Sequence, residues 1–323
     1  MNIACYEYKE ECSMKRKNIT FLSEGLQCAG WLYLPQKTTE NFKVPAIVMA
    51  HGFSLVKEAY LDRYAEVFCK GGFAVLVFDY RNFGESESYS PQHLEPYEQI
   101  KDYRNAISWI SALPEIDEEN IGIWGTSYSG GHVLHIGAVD QRVKAVVAQV
   151  PTINGRKGAQ RKMVSEKFDD FMRNLTDYRT ERYVSGKRKM YPVVSADGIA
   201  AQPHPEALKW FLETAKEVAP TWKNEITLES MEHYVEYHPA SLIDFISPTP
   251  LMIIAAMEDG ITPPDLIIEA YEERAKEPKK LVELPGGHFD VYNGATFEQA
   301  SIESLKWFQQ HLLNVKAATK IQN

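Results

Sequence analysis

Ser127 lies in a run of small residues within IGIWGTSYSGGHVL, residues 121–134, which joins two apolar stretches. A serine at the tip of a sharp strand-to-helix turn has a strained backbone with φ above zero, and its neighbours two residues away must be small. Gly125 and Ser129 occupy these two positions, and Gly130 follows where a helix would pack closely on the strand. The spacing predicts a nucleophile elbow of the type G-x-S-x-G, in which Ser129 replaces the last glycine.

A serine hydroxyl is a poor nucleophile until a base removes its proton, and the base needs an acid that orients it. Asp259 follows the apolar run 249–256 and precedes a glycine at which the chain can turn. His288 comes directly after the last apolar run, 279–285, and two glycines. The order serine, acid, histidine at the ends of successive strands predicts the triad Ser127–Asp259–His288.

Other residues near these positions are alternatives for the same roles. Glu258 would point to the opposite side of the chain from the preferred acid, and Asp290, two residues after the preferred base, is typical of a helix start. His132 and His135 are three residues apart behind the serine and could approach a metal together. Because no third ligand is visible, packing in or beside the core is the favoured interpretation of both histidines.

Acyl transfer also requires hydrogen-bond donors for the oxyanion that forms on the substrate. The backbone N–H of Tyr128, next to the serine, is one predicted donor. The second is the backbone N–H of Phe53, in the loop after the apolar run 44–50, where Gly52 lets the backbone approach closely. His51 in the same loop is interpreted as a structural residue that orients the loop, with a second base as the alternative.

Short apolar runs alternate with amphipathic segments along the chain. From the third run onward most are apolar at nearly every position, which is typical of strands in a parallel sheet covered on both faces. The fold predicted from this alternation is an α/β fold with a mostly parallel, doubly wound sheet. The predicted strands are 18–23, 27–35, 44–50, 73–80, 120–125, 143–150, 249–256 and 279–285, and the predicted helices are 59–72, 98–113, 265–277 and 296–313.

Residues 152–246 interrupt this alternation, because they contain no strong buried-strand pattern. Residues 152–192 hold 11 Lys or Arg and 5 Asp or Glu, a net charge of +6, whereas the whole chain carries −9. We therefore predict a core formed by residues 1–151 and 247–323, with a helical cap inserted at 152–246. Its aromatic residues would form the cap's own core or line an acyl pocket: Phe168, Phe171, Tyr178, Tyr183, Tyr191, Trp210, Phe211 and Trp222.

Composition excludes several classes of protein. The net charge of −9 over 323 residues argues against nucleic acid or an anionic membrane surface as a partner. No apolar run is long enough to span a bilayer, and the first 20 residues contain no apolar signal segment, so a cytoplasmic protein is expected. The four cysteines form no CxxC pair, which favours free thiols over zinc or redox sites: Cys5, Cys12, Cys28 and Cys69.

Six segments in order resemble the α/β-hydrolase superfamily: AIVMAHGF, FAVLVFDYRNFGES, IGIWGTSYSGG, RVKAVVAQVP, PLMIIAAMEDGITP and ELPGGHFDVY. HGF, FDYRNFGES and GTSYSGGHVL are similar to an esterase-like or peptidase-like branch that includes fungal polyketide transferases and thiohydrolases. The resemblance implies a cap before the acid-bearing strand, no metal and no organic cofactor. It also implies that Asp79 and Arg81 support the sheet rather than take part in catalysis.

The expected activity is hydrolysis of a carboxylic ester or thioester of a small organic acyl substrate through an acyl-enzyme. One alternative is an acyltransferase or thioesterase for a polyketide-type or carrier-bound intermediate, because a basic cap would attract an anionic carrier protein. A peptidase or amidase with the same triad, and a non-catalytic binding module, are further alternatives. An apolar cap face would allow a homodimer.

Overall fold

The computed structural model of the chain describes residues 14–36, 38, 39, 42–163 and 165–313. An eight-stranded sheet has the order β1-β2-β4-β3-β5-β6-β9-β10, with β1 and β2 antiparallel to their neighbours and the other pairs parallel. Its strands are Lys15–Ser23 (β1), Leu26–Leu34 (β2), Val44–Ala50 (β3), Ala74–Phe78 (β4), Ile116–Thr126 (β5), Val143–Gln149 (β6), Leu251–Ala256 (β9) and Lys279–Leu284 (β10).

Helices cover both faces of this sheet, and the predicted doubly wound α/β fold is confirmed. The covering helices are Leu61–Lys70 (α1), Pro96–Ser111 (α2), Tyr128–Val139 (α3), Pro264–Arg274 (α8) and Gly294–Phe308 (α9), the last followed by a π-helical turn at Gln309–Leu313. Strand β3 is buried at every position, so its side chains alternate between two apolar clusters. Ile47 and Met49 pack with α1 and α9, whereas Val48 packs on the face covered by α2 and α3.

A two-residue turn closes the β1–β2 hairpin between the first two predicted strands. Glu24 and Gly25 both have positive φ, +48° and +89°, which is the backbone of the tight turns that match the twist of paired strands. Ser23 therefore pairs with Leu26. This hairpin places β2 beside β4 and β1 at the edge of the sheet. The other six strands are parallel to one another, and the candidate site lies at their carboxyl ends.

The described residues between 152 and 246 form four helices, two short strands and a 3₁₀ helix. They are Gly155–Lys162 (α4), Ser165–Ser185 (α5), Met190–Tyr191 (β7), Pro205–Glu217 (α6), Ile226–Thr227 (β8), Glu229–Glu236 (α7) and the 3₁₀ helix Pro239–Phe245. The two ends of the segment meet where Gly155 N–H donates to Tyr237 O at 2.8 Å and Ala240 N–H to Ile153 O at 3.3 Å. The division into a 152–246 cap and a two-part core stays a prediction.

Element boundaries differ from the predicted ones by a few residues. Helix α2 begins two residues early, at Pro96, because the Glu95 carboxylate accepts the backbone N–H of Glu98 at 2.6 Å and Pro96 suits a first helical turn. Strand β4 ends at Phe78 rather than at residue 80. Asp79 N–H still donates to Ala29 O of β2 at 2.9 Å, and its carboxylate accepts from Lys57 in the loop after β3.

Two of the four cysteines lie among the described residues. Cys28 and Cys69 are buried and belong to apolar clusters on opposite faces of the sheet, so they are not joined to each other. Cys5 and Cys12 lie outside the described residues. Across the described part of the chain, no helix combines the length and apolar character that crossing a membrane requires.

Candidate active site

Three side chains meet at the carboxyl ends of neighbouring strands. Ser127 lies between β5 and α3, Asp259 follows β9, and His288 follows β10. All three are largely buried, with exposed fractions of 7%, 4% and 3% respectively. In open α/β sheets this edge is where ligands bind, because loops from several strands converge there.

The backbone of Ser127 has the strained geometry that the small neighbours predict. Its φ is +58° and its ψ −116°, a conformation that costs about 1–3 kcal/mol and must be held by its surroundings. Ser127 N–H donates to Gln149 O at 2.8 Å, and Ser127 O accepts the N–H of Thr152 at 2.9 Å. A Cβ on Gly125 would lie 2.2 Å from Ser129 O, so only glycine fits at that position.

Ser129, which departs from the G-x-S-x-G pattern, has a partner of its own. Its hydroxyl lies 2.9 Å from the Tyr80 hydroxyl, and both residues are fully buried. The extra hydroxyl is therefore hydrogen-bonded in the core rather than directed at the site. The sequence contained no sign of this bond, because Tyr80 is 49 residues away along the chain.

Hydrogen bonds join the three side chains in a line. His288 Nε2 lies 3.0 Å from Ser127 Oγ, and His288 Nδ1 lies 2.7 Å from Asp259 Oδ2. An ionised carboxylate can only accept, so Nδ1 carries the imidazole proton and Nε2 is free to accept from the serine. This tautomer is the one in which histidine can remove a proton from the hydroxyl.

Asp259 accepts further hydrogen bonds that fix its carboxylate. Oδ1 accepts the backbone N–H groups of Ile261 and Thr262 at 2.7 and 2.8 Å, and Oδ2 lies 2.7 Å from Thr262 Oγ1. Burial by itself would raise the pKa of Asp259, but the His288 ring and the Thr262 donors outweigh burial and lower that pKa. Sequence reasoning missed Thr262, although its position three residues after the acid was the available signal.

The two alternative acids have other surroundings. Glu258 is exposed and has no hydrogen bond to His288 among the described residues. The Asp290 carboxylate accepts the N–H of Gly287 at 2.7 Å and so braces the turn that carries His288. Neither carboxylate touches the imidazole in this arrangement, and Asp259 is the acid that does.

His132 is buried with both ring nitrogens engaged. Nδ1 lies 2.7 Å from the Tyr237 hydroxyl and Nε2 2.9 Å from Gln99 Oε1, so neither nitrogen is available to a metal. Burial lowers the pKa of His132, and also that of His135, which is partly buried on the same helix. Within the described residues no three His, Cys, Asp or Glu side chains come together as metal ligands would.

Two backbone N–H groups adjoin the serine without a partner of their own in the described residues. Tyr128 N–H is at the first turn of α3, and Phe53 N–H is in the loop after β3; neither donates to a carbonyl or side chain there. A Cβ on Gly52 would lie 2.9 Å from Ser127 Cβ, so the glycine lets this loop reach the serine. Both donors remain predictions for the oxyanion role.

Asp79 and Arg81 connect loops to the core. The Asp79 carboxylate accepts the backbone N–H and the Nζ of Lys57 at 2.6 and 2.7 Å, and Lys57 is fully buried. Arg81 donates to the buried Asp102 through Nε at 3.0 Å and Nη2 at 2.7 Å. Neither side chain lines the pocket at Ser127, and Asp79 instead braces the loop that carries Phe53.

His51 is buried in the same loop. Its Nδ1 lies 3.0 Å from Gly52 O, and its Nε2 is buried without a hydrogen-bond partner. Burial lowers the pKa of His51 to about 4, against the attraction of Asp79. This ring is therefore neutral at pH 7, and it has no contact with the Ser127 hydroxyl among the hydrogen bonds of the described residues.

The neutral His51 predicts a loss of stability in acid. Below about pH 6.5 the unfolded chain binds a proton at this histidine while the folded chain does not, so the free energy of unfolding falls as the pH drops towards 4. We expect the fall between pH 7 and pH 4.5 to be about 2 kcal/mol smaller in His51→Gln. Denaturant titrations at both pH values measure it, and any pH-independent effect of the substitution cancels. Equal falls in both proteins would contradict the prediction.

A narrow pocket leads to Ser127 and His288. Its empty volume, mouth included, is about 300 Å³, and it has room for about one water molecule. Gln202 and Tyr292 contribute polar groups, and the Tyr292 hydroxyl is already bonded to Thr126 at 2.7 Å. The remaining wall is apolar and combines residues before, within and after the segment 152–246: Phe53, Leu55, Phe211, Ile261 and Phe289.

Known proteins are similar in sequence to this chain over most of its length. The chain is 31% identical over 314 residues to "Thiohydrolase aneE" of Aspergillus aculeatus, covering 94% of this chain and 95% of that protein. It is also 31% identical over 273 residues to a 31.7 kDa protein of Escherichia coli, covering 84% and 93% respectively.

A solved structure agrees with the fold. The crystal structure of "Alpha/beta hydrolase GrgF" from Penicillium sp. sh18 aligns with a TM-score of 0.78 and 24% identity, covering 93% of this chain and 99% of that one. The curated description of a relative of that name is "Polyketide transferase grgF". Residues 24–290 match the family described as "X-Pro dipeptidyl-peptidase (S15 family)". The resemblance to the α/β hydrolases is thus confirmed, and the chain, an enzyme of the α/β-hydrolase type, belongs to the S15 family.

Proposed function

We propose that the protein is a serine hydrolase that cleaves a carboxylic ester or thioester of a small organic substrate with Ser127, His288 and Asp259. The observation that carries the proposal is the hydrogen-bonded line from Ser127 Oγ through His288 to Asp259, with distances of 3.0 and 2.7 Å. The apolar side chains beside Ser127 and His288 support an acyl group as the part of the substrate that packs against this wall.

In this mechanism His288 Nε2 removes the proton from Ser127 as its oxygen attacks the acyl carbonyl. The imidazolium that forms lies against the ionised Asp259, whose lowered pKa keeps it charged. The backbone N–H groups of Phe53 and Tyr128 donate to the oxyanion. His288 then protonates the leaving group, and a water activated by the same nitrogen releases the acid from the serine.

A thioester is included among the substrates because the relative from Aspergillus aculeatus is described as a thiohydrolase. A peptidase has less support, since no carboxylate that could hold a free amino terminus lines the pocket in the described part of the chain. Acyl transfer to an alcohol remains the alternative, because a relative is described as a polyketide transferase.

A carrier protein as partner has less support than the charge of residues 152–192 predicts. Many of these basic side chains pair with acids within the same chain. Arg179 and Arg182 lie 2.7 and 2.5 Å from Glu232 and Glu229, and Lys157 lies 2.9 Å from Glu269. Such pairs reduce the field that would attract an anionic partner, which favours a free small-molecule substrate.

The proposal is tested with a fluorophosphonate probe and a matched substrate set. We expect the probe to modify Ser127 with one equivalent, and turnover to fall in proportion to labelling. Thioesters, oxygen esters and amides that share one acyl group should rank in that order of kcat/KM. The absence of labelling, or turnover that survives complete labelling, would contradict the serine mechanism. Fast cleavage of an X-Pro amide would favour a peptidase.

A further inference from the structure

We propose that Gln202 is a specificity-determining residue, whose side-chain Nε2 donates a hydrogen bond to a carbonyl or hydroxyl oxygen carried by the acyl chain. This inference rests on the proposed function, because it concerns the substrate of the same site. It names the substrate class: acyl groups with an oxygen acceptor in the chain, in addition to the carbonyl that Ser127 attacks.

Gln202 lines the pocket that contains Ser127 and His288, and only 5% of its surface is exposed. Its backbone is held in place, because its N–H donates to Val193 O at 2.8 Å, one residue after a similar bond from Ala201 to Pro192 at 2.9 Å. The side-chain amide of Gln202 is therefore attached to a backbone that these two hydrogen bonds hold in place.

Lys162 determines which end of the Gln202 amide can face the pocket. Its Nζ lies 2.8 Å from Gln202 Oε1. Because an ammonium group has donors and no acceptor, the amide atom beside it must be the oxygen. Lys162 has no ion pair within the described residues and lies 5.6 Å from the centre of the Tyr234 ring, which helps to hold it there.

The same contact leaves Nε2 with its two N–H donors unused. No hydrogen bond joins Gln202 Nε2 to an acceptor within the described residues, where Oε1 is the amide atom that has a partner. Ser127 and His288 are engaged with each other, and the Tyr292 hydroxyl with Thr126. Among the side chains of this wall, Gln202 therefore offers a donor beside the backbone N–H of Phe53. In the proposal, an oxygen of the substrate accepts the hydrogen bond from Gln202 Nε2.

A donor that a bound ligand covers discriminates against ligands that cannot accept a hydrogen bond from it. A chain carrying CH₂ in place of the oxygen-bearing carbon would leave Nε2 desolvated and unpaired, which costs more than the net gain of a typical hydrogen bond. Sites built this way reject the analogue that lacks the polar group much more strongly than apolar pockets distinguish methylenes. We expect a preference of about ten-fold or more.

The test uses pairs of acyl thioesters of equal length, one plain and one with a chain carbonyl at carbon 3 or carbon 5. Wild type should favour one oxo form over its plain partner in kcat/KM by about ten-fold or more. In Gln202→Leu this ratio should fall to near one. An unchanged ratio in Gln202→Leu, or no oxo preference in wild type, would overturn the proposal.

Two further variants examine the donor itself. Gln202→Glu replaces the amide donor with an acceptor that pairs with Lys162, so it should lose the oxo preference as Gln202→Leu does. Lys162→Met leaves the amide free to rotate and should lose part of the preference. A Gln202→Glu enzyme with the wild-type ratio would contradict donation by Nε2.

The failure of this inference can be told apart from failure of the serine mechanism. Fluorophosphonate labelling of Ser127 in wild type and Gln202→Leu reports the mechanism alone. In Ser127→Ala, calorimetry with the amide analogues of the same acyl pair gives the ratio of Kd values without any turnover. Tighter binding of the oxo analogue that disappears in Ser127→Ala/Gln202→Leu supports the proposal, and equal Kd values for oxo and plain analogues refute it.

Discussion

Ser127→Ala is expected to lower kcat for thioesters and esters by about 10⁵-fold or more, and to abolish fluorophosphonate labelling. The reason is that the methyl group cannot form the covalent acyl-enzyme, and His288 is left without a hydroxyl to deprotonate. The backbone strain at residue 127 remains, since it is set by the Gln149 and Thr152 hydrogen bonds rather than by the side chain. Steady-state kinetics with a thioester, alongside circular dichroism, measures the effect.

Ser129→Ala is the matched control for this variant. It removes a hydroxyl two residues away that bonds to Tyr80 and not to the site. We expect turnover within about ten-fold of wild type and a stability loss of about 1–3 kcal/mol, because the Tyr80 hydroxyl is left buried without its partner. Equal losses of kcat in Ser127→Ala and Ser129→Ala would assign the effect to the elbow's packing and contradict a nucleophile at Ser127.

Asp259→Asn is expected to lower kcat by about 10⁴-fold, the size found when the acid of a serine triad is made neutral. The amide at this position must still accept the N–H groups of Ile261 and Thr262. Its NH₂ end then faces His288 Nδ1, which forces the ring proton onto Nε2 and blocks proton transfer from the serine. Kinetics at several pH values, with the rate of fluorophosphonate labelling, measures the loss.

Glu258→Gln supplies the comparison, because it makes the same chemical change one residue away on an exposed side chain. We expect its kcat to match wild type. The interpretation fails if Glu258→Gln is the damaging substitution and Asp259→Asn keeps most of the activity, since the neighbouring carboxylate would then orient the imidazole.

The alternation of strands and helices along the chain and the meeting of three distant side chains were predictable, because each rests on local chemistry. Small residues around Ser127 indicate a strained turn, and an acid and a histidine directly after later apolar runs must emerge at the same edge of a parallel sheet. Nothing in that reasoning requires the inserted segment. The pairing of Thr262 with Asp259 was missed because a threonine near a turn has many ordinary roles.

The sequence could not predict which single side chains of residues 152–246 line the pocket and which pack among themselves. Gln202 lies between β7 and α6 without any periodic pattern, and its role depends on Lys162, which is 40 residues away. Of the aromatic residues there, Phe211 lines the pocket and Trp210 stacks on Phe289 at 4.5 Å, whereas Phe168 and Tyr178 pack within the segment. Such assignments depend on how helices pack in three dimensions, which local sequence does not encode.

Hydrogen bonds join the two ends of residues 152–246, and this has a consequence for how the substrate range of the site could be changed. The chain leaves the sheet and returns to it through a neck tied by Gly155 to Tyr237 and Ile153 to Ala240. Thr152, on the sheet side of this neck, holds the Ser127 carbonyl, whereas Gln202 and Phe211 beyond the neck form part of the pocket wall. Exchanging residues 156–236 would therefore change the wall that meets the substrate while the Thr152 bond to the serine backbone stays in place.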